Sequence, residues 1–118
     1  MTPQEMFNKA YIGVMTQGVQ SKSNGSCLYR GPNGTKCAVG FLIDDDVAKA
    51  WDDNSGIIVD CNLKLLSAEM EDDFRANMDL LIEMQSIHDS DDFEDFSTTF
   101  KTRMADLAKE QGLEVPAV

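Results

Sequence analysis

Cys27-Leu28-Tyr29-Arg30-Gly31-Pro32-Asn33-Gly34-Thr35-Lys36-Cys37-Ala38-Val39 is the stretch on which the fold class turns. Two short β-compatible runs, 27–30 and 35–39, flank a Gly/Pro/Asn turn, which predicts a β-hairpin. A lone two-stranded hairpin is unstable in water and must pack on something else. The remainder of the chain reads as helix. The predicted fold is therefore α+β, with about four helices and one short β-hairpin packed on the helical layer.

Upstream, Thr2, Pro3 and Glu5 form a helix start, with a cap, a first-turn proline and a T-x-x-E capping box. Phe7, Ala10, Tyr11 and Val14 share one face, and Gly18 is the expected stop. Residues 19–26 read as a polar loop. Downstream, Gly40 lets the chain bend, and Phe41-Leu42-Ile43 is an apolar plug. Asp44-Asp45-Asp46 opens a short helix through about Trp51, with acids at the positive end of its dipole. Residues 57–59 read as a third strand or a buried extended link. From Leu63 the pattern is helical, with a restart at Ser67, and an apolar stripe runs from Met70 and Phe74 through Leu80, Leu81, Met84, Ile87 and His88 on one long helix. A last helix carries Phe93, Phe96, Phe100, Met104 and Leu107 and ends at Gly112.

The 118 residues form one expected domain, 1–118, large enough to bury a core. No apolar run reaches the ~18 residues of a membrane span, and no secretion signal is evident. Three cysteines, an odd number, fit a reducing interior better than a disulfide framework. The charge is −11, unevenly spread. Residues 1–43 carry one acid, Glu5, and four bases, for +3; residues 44–118 carry 20 acids and six bases, for −14. That balance excludes a nucleic-acid binder with a broad basic surface and a protein drawn to anionic lipid. It orients a positively charged partner, or it simply keeps ordinary helix faces soluble.

Several constellations bear on chemistry. Residues 31–36 superficially resemble a phosphate-binding loop, but the lysine follows Thr35 into an apparent strand instead of a helix. The acidic runs near Asp52 and Asp89 miss the calcium-loop spacing. Cys27, Cys37 and His88 are suitable metal ligands, with Cys61 or an acid as a fourth, although C-x9-C is no established zinc spacing. Cys37 could instead be a nucleophile with His88 as base and Asp89 as orienter. Against that, Cys37 sits in an apolar run, and Asp89 is expected to point away from His88 on a helix. Arg30, beside the Gly-rich turn, either binds an anion or clamps an acidic helix of its own fold.

The segment C-L-Y-R-G-P-N-G-T-K-C-A-V-G-F-L-I (27–43) and Q-S-I-H-D (85–89) resemble a family of small uncharacterised proteins of phages, plasmids and bacterial genomes. That family shows a short N-terminal helix, a C-x-Y-R-G…K-C-A-x-G-x-L-I segment, a helix ending in Q-x-x-H-D and a closing helix with a Gly-Leu stop. The resemblance spans most of residues 5–113. It implies a mobile-element protein acting in the cytoplasm of a bacterial host cell, and it assigns no catalytic residue.

Together these readings predict a small acidic accessory protein, a binding protein more than an enzyme, with no cofactor. It would bind and inhibit a host protein with a basic surface, imitating a phosphate array. No direct nucleic-acid or membrane contact is expected, and a homodimer stays open. The acids expected to meet the partner are Asp44, Asp45, Asp46, Asp52, Asp53, Asp72, Asp73, Asp91, Asp92, Glu94 and Asp95. A metal-binding or thiol-active centre at Cys27, Cys37 and His88 is the alternative.

Overall fold

Helix α1 (Pro3–Gln17) begins as its sequence dictates. The Glu5 amide donates to the Thr2 hydroxyl while the Thr2 amide donates to the Glu5 carboxylate, closing the capping box. It ends at Gly18, whose φ of 79° places it in the left-handed region where glycine bears no steric cost. Its buried face is Met6, Phe7, Ala10, Tyr11 and Val14. The computed structural model describes residues 1–23, 26–54, 61–90 and 95–117. Four further helices follow: α2 (Asp45–Asn54), α3 (Ala68–Ala76), α4 (Met78–Asp89) and α5 (Phe96–Gln111). Helices α1, α4 and α5 pack on one another, and α3 leans on α4.

Two aromatic groups fill the interior. Phe7 stacks on Tyr11, Tyr11 on Phe100, and Phe96 joins Phe100 to the His88 ring, so one chain of rings ties α1, α5 and α4 together. Tyr29, Trp51 and Phe74 form the second group, which holds α2 and α3 against the loop after α1. Gly112 closes α5 at a φ of 68°, with the Leu113 amide donating back to the Ala108 carbonyl.

The structure corrects the expected fold class. The described residues are mostly helical, and the hairpin of residues 27–39 does not form. Between its two runs the pairing shrinks to a single bridge, Arg30 to Lys36. A two-residue ladder, β1 (Lys22–Ser23) with β2 (Ser26–Cys27), lies upstream of it. Pro32–Gly34 and Val39–Leu42 are 3-10 turns. Burial explains the difference. Cys37, Ala38, Val39 and Gly40 are all buried in succession, whereas a hairpin strand packed on one side alternates inward and outward. With no ladder to use, the backbone takes side-chain partners. The Gln17 amide group accepts from the Lys36 amide (2.7 Å) and donates to the Lys36 carbonyl (2.9 Å), doing for one residue what a neighbouring strand would do.

The apolar stripe expected on one long helix is carried by two. The chain breaks at Asn77 (φ −120°, ψ 24°), whose side-chain amide donates to the Asp73 carbonyl alongside its own backbone N–H. Residues 57–59 and Phe93 lie outside the described residues. Among the described residues, no helix is long and apolar enough to cross a membrane.

Candidate functional site

Arg30 is the centre of the segment 27–43. Its guanidinium donates to three carbonyls, those of Tyr29 (3.0 Å), Gly40 (2.8 Å) and Ile43 (2.8 Å), and its Nε donates to the Asp45 carboxylate (2.8 Å). It thus clamps the start of α2. The Asp52 carboxylate returns the contact from the other end of α2, with one oxygen accepting from the Tyr29 amide (2.9 Å) and the other from the Arg30 amide (3.0 Å). The Arg30 contact holds the Asp45 carboxyl below its ordinary range. A Cβ on Gly40 would stand 2.6 Å from the Tyr29 carbonyl, so this close approach requires glycine.

The second constellation lies at the end of α4. His88 is fully buried. Its Nε2 accepts from the Ser21 amide (3.2 Å), so the ring proton sits on Nδ1 and is donated to Asp89 Oδ1 (2.8 Å). The expectation that Asp89 points away is therefore corrected. At the last residue of a helix the side chain is free to fold back, and the Gln85 amide, one turn earlier, draws it in (2.9 Å). Gln85 also accepts from the Val39 amide (3.1 Å), and Gln20 donates to the His88 and Ser90 carbonyls. Among the described residues no buried side-chain nitrogen or oxygen lacks a partner.

The three cysteines divide. Cys37 is buried, its sulfur accepts from the Gly40 amide (3.3 Å), and burial pushes its thiol well above the ordinary range. A nucleophile needs the opposite shift and some exposure, so the arrangement gives no support to chemistry at Cys37. Cys27 is half-buried and comes together with His88 and Asp89; one donor atom from each lies within 4.8 Å of the others. Cys37, expected with Cys27 and His88, is not in that group, and Asp89 is. Cys61 is 3.5 Å from the Tyr29 hydroxyl, beside a groove of about 500 Å³ lined by Lys64, Arg75 and Met78. Both cations of that groove already reach Glu71.

Most of the acids expected to meet a partner are occupied within the chain. Asp44 caps α2 by accepting from the Val47 amide, Asp53 pairs with Lys49, Asp73 takes the N-terminal ammonium and Asp95 takes the Thr98 hydroxyl. Asp45 and Asp52 belong to the Arg30 clamp. Asp46 and Asp72 are exposed. Asp91, Asp92 and Glu94 lie outside the described residues. Sequence reasoning passed over a second acidic array. Glu83 on α4 and Asp106 and Glu110 on α5 line one groove of about 190 Å³ together with Arg103, Ile87 and Leu107. None of the three has an ion pair among the described residues. The available signal was the four-residue step from Asp106 to Glu110 beside an apolar stripe, which fixes both acids on one helix face.

No family model matches the chain, no curated protein matches it, and no solved structure matches it.

Proposed function

We propose that this is a non-enzymatic accessory protein of the phage type that binds a basic surface on a host protein and inhibits it, its acidic helices standing in for a phosphate array. The observation that carries this reading is a contrast in how polar groups are used. Arg30, Cys37 and Gln85 are consumed by intramolecular bonds, whereas Glu83, Asp106 and Glu110 line one groove with Arg103, are exposed, and make no ion pair among the described residues. They belong to the part of the chain, residues 44–118, that carries −14. Complementarity of this kind gives fast association that salt weakens. The resemblance to small phage and plasmid proteins supplies the setting, a bacterial cytoplasm.

The test is capture from bacterial lysate on the immobilised protein at about 0.15 M salt and again at about 1 M, where the Debye length falls to ~3 Å. A Glu83→Lys/Asp106→Lys/Glu110→Lys variant is run in parallel. The expected result is one basic, nucleic-acid-handling protein that is retained at low salt, lost at high salt and not retained by the variant. Binding that ignores salt, or that survives charge reversal, overturns the proposal.

A further inference from the structure

From the cluster at the end of α4, we infer that Cys27, His88 and Asp89 form a binding site for a zinc-class divalent cation, separate from the acidic surface. Three donors of different chemistry, a thiol, an imidazole and a carboxylate, converge from two distant parts of the chain within 4.8 Å. Ligands about 2.0–2.3 Å from one zinc ion stand roughly 3.5 Å apart, so a cation would draw the widest-spaced donors together by at most about an ångström and part His88 Nδ1 from Asp89 Oδ1, now 2.8 Å apart. Thiolate with imidazole selects zinc and its neighbours over calcium or magnesium, which take oxygen. The position suits a cation further, because α4 ends at Asp89 and the negative end of its dipole lies there. Gln85, which donates to Asp89 Oδ1, supplies the outer support that orients a ligating carboxylate. Three protein ligands leave a fourth position for water, and Asp89 is 39% exposed, so the site has an approach from solvent.

The nitrogen that faces Asp89 is Nδ1, and it carries the ring proton while Nε2 accepts from Ser21. A cation seated between Cys27, Asp89 and Nδ1 takes the place of that proton. The ring proton then moves to Nε2, and the Cys27 thiol releases one proton to solvent as it becomes a thiolate. The balance has a structural consequence. Nε2–H now faces Ser21 N–H, donor against donor, so the Ser21 amide loses its acceptor. Metal binding and the Ser21–His88 hydrogen bond exclude one another. The loop after α1 is thereby coupled to the metal.

Cobalt(II) is the probe, since its thiolate complexes absorb in the near ultraviolet and its four-coordinate complexes in the visible. The expected result is one Co²⁺ per chain with a thiolate band. Zn²⁺ should displace it. Cys27→Ser should abolish the band, Asp89→Asn should weaken binding at least tenfold, and Cys61→Ser should leave it unchanged. On the unaltered chain, Zn²⁺ should protect Cys27 from alkylation, read by peptide mass, and should shift the Ser21 amide resonance. Those two readouts decide the matter even if a variant fails to fold. No binding, binding without a thiolate band, a band that persists in Cys27→Ser, or a Ser21 amide that does not move on saturation overturns the inference.

Discussion

Among the described residues between 20 and 43 the chain has little regular secondary structure, and its backbone is held largely by polar side chains. Gln17, Gln20, Arg30, Asp52 and Gln85 all bind backbone groups in or beside this segment. In the α4–α5 pair the opposite holds. There the backbone satisfies itself within helices, apolar residues such as Leu81, Met84, Met104 and Leu107 are buried, and the acids Glu83, Asp106 and Glu110 are exposed. The comparison separates two uses of polarity. Where the backbone lacks a ladder, side chains must supply one, and they cease to be available for a partner. Where the backbone is self-sufficient, acids such as Glu83, Asp106 and Glu110 stay exposed with no ion pair among the described residues.

The largest effect expected is at Arg30. Arg30→Ala removes the donor from three carbonyls at about 1 kcal/mol or more each, so it should cost at least about 3 kcal/mol. That is a large share of a domain's usual margin of about 5–15 kcal/mol. Urea denaturation checks it: the midpoint should fall with little change in slope. Arg30→Lys should recover little, because an ammonium cannot reach three carbonyls in a planar fork. If Arg30→Ala were nearly neutral, the segment would not depend on side chains and the contrast would collapse.

Two substitutions of smaller effect sharpen the same contrast. Gln85→Leu strands the Val39 amide and should cost about 1–3 kcal/mol. Gly40→Ala places a methyl 2.6 Å from the Tyr29 carbonyl and should cost a similar ~1–3 kcal/mol through overpacking. Both are read from thermal or urea unfolding.

The same contrast explains what the sequence made legible. Helix starts and stops at Thr2, Gly18, Asp44, Ser67 and Gly112 are local chemistry, and they appear in the structure as caps. The hairpin was misread because its turn residues are also local, while the reason it does not form is remote. Gln17, Asp52 and Gln85 come from three helices, and nothing in their spacing announces that they take over a strand's hydrogen bonds. Cys27, His88 and Asp89 were half legible. The pairing of Cys27 with His88 was within reach of sequence reasoning, but the exchange of Cys37 for Asp89 depends on which face of the segment turns inward. The groove acids escaped notice because runs of consecutive acids attract attention, whereas acids spaced four apart form the continuous surface.

A pH titration tests the charged contacts, among them the Asp45 end of the Arg30 clamp. The Thr2 amide holds Glu5 down, Arg30 holds Asp45 down and Arg75 holds Glu71 down. Groups whose folded values are depressed contribute stability that is fully present above their unfolded values, near 4 to 4.5. That stability is lost as pH falls through the lower folded values. The Met1 ammonium is raised above 8.0, chiefly by its bond to Asp73. Its contribution is complete below that value and disappears as pH rises through the higher folded one. None of the four groups is buried, so both arms should be shallow. The expected result is a small decline in melting temperature as pH rises above 8.0 that is absent in Asp73→Asn, while the acid arm remains.

The smallest effect on stability should come from the groove acids. Glu83→Lys, Asp106→Lys and Glu110→Lys each alter an exposed side chain with no ion pair among the described residues, and surface changes of this kind usually stay within about 0.5 kcal/mol. Reversing all three adds six positive charges' worth of change to a chain at −11, which relieves self-repulsion and should leave the melting temperature level or slightly raised. The comparison then gives its sharpest form. Arg30→Ala should destabilise the protein without altering the groove of the folded fraction, and the triple reversal should abolish partner binding in a protein that is fully folded by circular dichroism. If the triple reversal also lowered stability by more than about 1 kcal/mol, these acids would be part of the intramolecular framework after all, and the surface available to a basic partner would have to be sought on Asp46 and Asp72.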